Sequence, residues 1–257
     1  MYNHLQSDQQ STRRRLLERT RAFHQRATVD DAKSLERFRR RWEDGSDVKL
    51  LTGLPSCPFL GFVDFDEGGS EEEATLVGCL VHPLQNDGID GRDCGVYDRF
   101  ICEDYLCASH QILGAGEKQL ILDAVDDSYL YGLIVTNPKF VRHLLKLVAQ
   151  RTGAWPTRRI LAQPAVVDAA RACFEEFRHW PYRGSDGIFG QVQVCGALET
   201  RRRRMPGDDF DVEEVPLDML LVCMGTECDE LDDLIDARRR MQRRLDALVD
   251  VVAPHIG

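Results

Sequence analysis

The sequence predicts an α+β protein that is mostly helical, with a loop-rich, cysteine-containing metal-binding segment packed on a helical body and a minor β component. Three observations lead there. Apolar residues recur at helical spacing at both ends of the chain and through its middle. Five of the nine cysteines fall between Cys57 and His110, where an even spread would put about two. That same window is broken by many glycines and prolines, among them Pro58, Gly61, Gly78, Pro83, Gly88 and Gly91, and shows only short alternating runs.

The elements follow in order. Leu16, Thr20, Phe23 and Ala27, then Leu35, Phe38 and Trp42, predict one or two helices over residues 12–43. Thr28 with Asp31 resembles a capping box and puts a break near residues 28–30. Phe59–Phe65 and Thr75–Val81 alternate well enough to pair as a hairpin around the acidic tip DEGGSEEE. A helix is expected over 115–128, with Leu120, Ile121, Ala124 and Val125 on one face. Asn137-Pro138 starts another, which Gly153 stops, and Gln163-Pro164 opens a third. Residues 188–198 and 216–223 read as strands, and Thr226 with Asp229 caps a last long helix. We therefore expect a basic helical arm (1–45), a Cys-rich metal-binding segment (46–112), a helical pair (113–153) and a C-terminal α+β region (160–257).

Composition bounds the function. With 257 residues and 43% hydrophobic content, the chain can bury a sizeable core in one large domain or two small ones. A formal net charge of −10 argues against a general nucleic-acid binder. The charge is uneven: residues 1–43 hold eleven Lys/Arg against six Asp/Glu, which leaves about −15 on the remainder. The basic arm is a solvated helical face, or it docks on the acidic body, on a protein partner or on a polyanion. No apolar run is long enough for a membrane span, and the polar N-terminus lacks a secretory h-region, so a cytoplasmic location is expected. Cysteines in a reducing compartment point to metal binding or thiol chemistry before disulfides.

Soft thiolates converging from separate turns suit a metal ion. Cys102 and Cys107 lie close along the chain, and Cys57 and Cys79 flank the expected hairpin, so the four make a candidate thiolate set. His82, Cys94 and His110 are alternates. The spacing is neither a zinc ribbon, with its paired Cys-x2-Cys knuckles, nor a ferredoxin run. Zinc would close tetrahedrally as a fold staple. A [4Fe–4S] cluster would take the same four sulfurs. Phe59, Phe62, Tyr97, Phe100 and Tyr105 could shield either. The bland alternative is a set of ordinary thiols with the histidines in turns.

Rival constellations are weaker. Cys94 with His82 or His110 as base would make a nucleophile, but acids surround it and only Arg92 and Arg99 offer positive charge. Asn86–Gly91 (NDGIDG) lacks the closing Glu of a calcium loop and reads as a turn. Gly114–Lys118 is not a phosphate-binding loop and starts a helix instead. Asp126 and Asp127 beside Tyr129 and Tyr131 read as a solvated helix end. Cys173 and Cys223 read as core thiols, Cys195 and Cys228 as a conceivable second pair, and Arg201–Arg204 with Asp208–Glu214 as a charged loop.

Cys57-Pro58-Phe59-Leu60, then Cys79 with His82-Pro83, then Arg92-Asp93, then Cys102 with Tyr105 and Cys107 resemble the later half of the zinc- or iron-chelating cysteine-cluster (YkgJ-type) proteins. The same words also resemble a group of uncharacterised bacterial proteins. The match covers roughly a fifth of the chain, lacks the family's opening Cys-x2-Cys-Cys cluster, and has a long loop between Cys57 and Cys79. The resemblance implies a chelating role for Cys57, Cys79, Cys102 and Cys107, and no reaction. The expectation is a zinc-binding protein with a structural, binding or regulatory role. The alternative is an iron–sulfur protein acting in redox or as an enzyme subunit. An adaptor acting through the basic arm is the third reading. No catalytic residue is assigned.

Overall fold

A computed structural model describes residues 8–43, 57–66, 68, 74–95, 98–104, 107–185, 189–194, 197–206 and 213–256, with backbone alone at 192–194 and 197. Among the described residues the chain is mostly helical with two small antiparallel hairpins, and it divides into two units, residues 1–105 and 106–257.

In the first unit, α1 (Gln9–Arg26) starts on Asp8, whose carboxylate accepts the Ser11 N–H at 2.9 Å. The chain breaks after Arg26 and resumes as α2 (Ala32–Glu43). The break is local: the Ser34 hydroxyl accepts the Thr28 N–H at 3.1 Å and the Asp31 carboxylate accepts the Lys33 N–H at 2.9 Å. β1 (Leu60–Phe62) and β2 (Val77–Cys79) pair antiparallel with Leu60 opposite Cys79. Phe23 of α1, Phe38 of α2 and Phe59 at the hairpin base form one aromatic core with Leu35, Leu80 and Val81. Leu16, Leu17, Phe62 and Ala74 form a second.

Several arginines of the basic stretch point into this unit. Arg13 donates to the Ala74 carbonyl at 2.8 Å with its guanidinium over Phe62. Arg19 donates to the carbonyls of Cys57 and Leu60 (3.3 and 3.1 Å) and lies over Trp42. Arg39 donates to the Gly95 carbonyl at 3.0 Å. Arg14, Arg26, Arg37, Arg40 and Arg41 stay exposed. α1 and β1 approach so closely at Gly61 that a Cβ there would stand 2.5 Å from the Thr20 hydroxyl, so only glycine fits.

The second unit is helical. It comprises α4 (Ala108–Ile112), α5 (Ala115–Ala124), α6 (Ser128–Val135), α7 (Pro138–Thr152), α8 (Arg158–Leu161), α9 (Pro164–Glu175), α10 (Asp218–Cys223) and α11 (Leu231–Val252). Here α3 (Arg99–Asp104) belongs to the first unit. Phe140, Val141, Leu144 and Val148 of α7 join Val166, Ala170, Cys173 and Phe174 of α9 and Leu234, Met241, Leu245 and Leu248 of α11 in the core, all at 1% exposure or less. β3 (Gln191–Val194) and β4 (Ala197–Thr200) form its hairpin. No helix among the described residues is long and apolar enough to cross a membrane.

Four local expectations need correction. The described residues within 188–198 do not form a single strand: Gln191–Val194 belong to β3, and Ala197 and Leu198 belong to β4, with which it pairs. Residues 216–223 are not a strand but α10, whose first turn is set by the Asp218 carboxylate accepting the Val215 N–H at 3.2 Å. Asp127 does not sit at a helix end: it caps the start of α6 by accepting the Tyr129 and Leu130 N–H groups. Thr226 does not cap α11, whose N-cap is Glu230. The Thr226 hydroxyl is instead buried, accepting from Trp180 Nε1 at 2.9 Å and donating to the Leu221 carbonyl at 2.6 Å.

Candidate metal centre

Three separate elements of the first unit carry the cysteines. Cys57 precedes β1, and its carbonyl accepts from the Leu60 N–H (3.4 Å) and from Arg19. Cys79 ends β2, and the His82 N–H donates back to its carbonyl at 3.2 Å. Cys102 lies on α3. The hairpin register brings Cys79 beside Leu60, three residues after Cys57, which is the proximity the two alternating runs imply.

Between them sits Arg92, on a single 3-10 turn (Arg92–Cys94), with its side chain only 7% exposed. It grips Asp90 at two points, Nε to Oδ1 at 2.8 Å and a terminal nitrogen to Oδ2 at 2.7 Å, and it reaches Glu103 of α3 at 2.6 Å. This clasp fixes α3 to the turn and leaves a guanidinium beside the thiols. Its bonds hold the Asp90 carboxyl down at about 2.

Electrostatics tie the three sulfurs together. Burial pushes the Cys79 thiol up to about 11; a hydrogen bond from the Val81 N–H opposes this, the charges of Cys57 and Cys102 raise it further, and Arg92 lowers it. Cys102 is raised by burial first and by Cys57 next, again opposed by Arg92. Cys57 acts on both Cys79 and Cys102, and Cys102 acts on Cys79, so the three sulfurs lie within electrostatic reach, where crowded thiolates are disfavoured unless a cation enters. The donor chemistry fits a soft metal ion. The geometry is not closed: among the described residues, no three His, Cys, Asp or Glu side chains are gathered tightly enough to hold a metal ion as they stand.

The other candidates have their own surroundings. Cys94 packs on the same core as Cys57 and Cys79, and its charged neighbours are Asp93, Arg39 and Glu36; burial and then Asp93 raise it, which is the wrong setting for a nucleophile. His82 caps the 3-10 turn Pro83–Gln85, its Nδ1 accepting the Leu84 N–H at 3.1 Å. Cys107 and His110 belong to the second unit, where Cys107 is the N-cap of α4 and both line a cavity of about 270 Å³ with Lys118 and Tyr131. Phe59 belongs to the core against which Cys57, Cys79 and Cys94 pack, Phe62 belongs to the second core, and Phe100 is 62% exposed. Tyr97, Tyr105 and Cys195 lie outside the described residues. Cys173, Cys223 and Cys228 are buried free thiols. Asn86–Gly91 is a turn, with Asp87 and Gly88 at φ 51° and 88°.

Sequence alone marks Arg92 as a charge near Cys94 and as part of the Arg92-Asp93 step, not as a clasp. The available signal was Asp90-x-Arg92 directly before a cysteine, a spacing at which a carboxylate and a guanidinium close a two-point pair across a turn. Comparison with protein families, with curated proteins and with solved structures finds no match to this chain.

Proposed function

We propose that this chain is a metal-binding protein whose first unit holds a zinc ion through the thiolates of Cys57, Cys79 and Cys102. The observation that supports this reading is that Cys57 and Cys79 pack on one core and Cys57 and Cys102 both act on Cys79, although up to 45 positions separate them along the chain. A soft divalent cation supplies the positive charge that three crowded thiolates lack, and zinc accepts irregular spacing because its d-shell imposes no geometry. The role is structural or regulatory: the metal would fasten the Cys57–Cys79 hairpin to α3 in a segment otherwise held by short elements. Arg92 and Asp90 act from behind the donors, positioning α3 and offsetting negative charge.

The test is elemental analysis and an absorption spectrum on anaerobically purified protein, run beside Cys102→Ser. The expected result is about one zinc per chain, a colourless solution and loss of the metal in the variant. Brown protein with iron and sulfide would replace zinc by an iron–sulfur cluster. Metal-free protein in both preparations would end the reading. The same assay on Cys107→Ser, Cys94→Ser and His82→Ala identifies the remaining donor.

A further inference from the structure

A second site, independent of the cysteines, lies wholly within the second unit. A cavity of about 470 Å³ opens between α7, α11 and the turn before α10. That volume falls in the range of small-molecule sites, roughly 300–1,000 Å³. Its floor is apolar, with Leu147, Leu217 and Leu245 each at most 7% exposed. Its rim carries Arg151, Arg238 and Arg239, and no acidic side chain lines it among the described residues.

The three carboxylates that pair with these arginines are not among the residues lining the cavity. Asp218 takes Arg238 at two points, 2.9 and 2.6 Å, and the Glu213 carbonyl takes it at 3.1 Å, so this guanidinium is fixed. Asp246 and Asp236 each meet a single nitrogen, of Arg151 and Arg239 respectively. Since a guanidinium has five N–H donors in a planar fork, both keep donors for a second oxyanion. His143 steadies the wall, its Nε2 2.6 Å from the Pro216 carbonyl.

We propose that this cavity binds a small amphipathic carboxylate, with its hydrocarbon body on the leucine floor and its carboxylate on the Arg151 and Arg239 forks. An apolar floor without the arginines would accept any greasy molecule. The remaining N–H donors of the rim arginines, with no carboxylate lining the cavity among the described residues, select an anion.

The test is isothermal titration of the full-length protein with sodium decanoate and with its neutral isostere decanamide, both kept below aggregation. Saturable 1:1 binding of decanoate, at least tenfold tighter than decanamide, is expected. Arg151→Ala/Arg239→Ala should bring decanoate down to the decanamide level while leaving decanamide unchanged. Gln242→Trp, which adds bulk at the mouth from a half-buried position without removing core atoms, should abolish both, with circular dichroism confirming an intact fold. Equal binding of acid and amide, unchanged binding in Gln242→Trp, or no binding of either ligand would overturn the proposal. None of these outcomes depends on metal content.

Discussion

The Thr20 hydroxyl accepts the Phe62 N–H at 2.9 Å while donating to the Leu16 carbonyl at 2.8 Å, so one side chain of α1 completes the backbone of β1. Thr20 is fully buried, 42 positions away from its partner, and it packs where only Gly61 allows contact. The edge of a two-stranded hairpin is thereby satisfied by a helix.

Thr20→Val keeps the shape and removes the acceptor, leaving a buried N–H unpaired. We expect a loss of about 1–3 kcal/mol. Hydrogen exchange at the Phe62 amide should accelerate by at least tenfold, whereas Thr20→Ser should keep most of the protection. Equal protection in the Val variant would show that the hydroxyl contributes nothing.

Arg92 makes a different demand. Its guanidinium lowers both Cys79 and Cys102 while its bonds to Asp90 and Glu103 hold α3 in place. Arg92→Met should weaken zinc binding by about 10- to 100-fold, the usual cost of losing a residue that supports metal ligands. A competition titration with a chromophoric chelator measures this. Arg92→Lys should recover charge but not the two-point grip, and so only part of the affinity.

What was legible in the sequence was what local chemistry decides. Pro138 and Gly153 bracket α7 because proline suits a first helical turn and Gly153 takes φ 86° at the C-cap. The first hairpin follows from alternation alone. Residues 216–223 misled because a short apolar run carries no period that separates a strand from a buried helix; Asp218 decides it by bonding the Val215 N–H and Arg238 of α11. Thr226 looked like a cap, but Trp180 claims it from 46 positions away, which no local pattern announces. The set Cys57, Cys79, Cys102 and Cys107 is legible from spacing, whereas the place of Arg92 beside Cys79 and Cys102, and the charges of Arg39 and Glu36 near Cys94, needed the fold.

Glu176 offers a test of the second unit's packing. Its carboxylate is 1% exposed and accepts from Arg240 Nε at 2.6 Å and Arg244 Nε at 2.7 Å, joining the end of α9 to α11. Glu176→Gln should cost about 2 kcal/mol in urea unfolding, below the 3–5 typical of a fully buried pair, because both arginines are more than a third exposed. Replacing all three residues by leucine or methionine should recover much of that loss, since burying a carboxylate carries its own desolvation cost.

The buried thiols of the second unit set its behaviour in alkali. Burial pushes Cys173 and Cys223 up to about 12, from an ordinary thiol value of 9.0. Between these values the unfolded chain releases both protons and the folded chain keeps them. The unfolded state then binds fewer protons, so the free energy of unfolding falls as pH rises. The stability tied to these two thiols is fully present below about pH 9 and drains away from pH 9 to 12. Each contributes a slope of at most about 1.4 kcal/mol per pH unit. Urea midpoints at pH 8, 9.5 and 10.5 measure it, with Cys173→Ala and Cys223→Ala alongside. Each variant should start less stable at pH 8, through the cavity it leaves, and show a shallower alkaline decline than the parent. Parallel declines in parent and variants would mean that these thiols ionise as freely inside the fold as outside it.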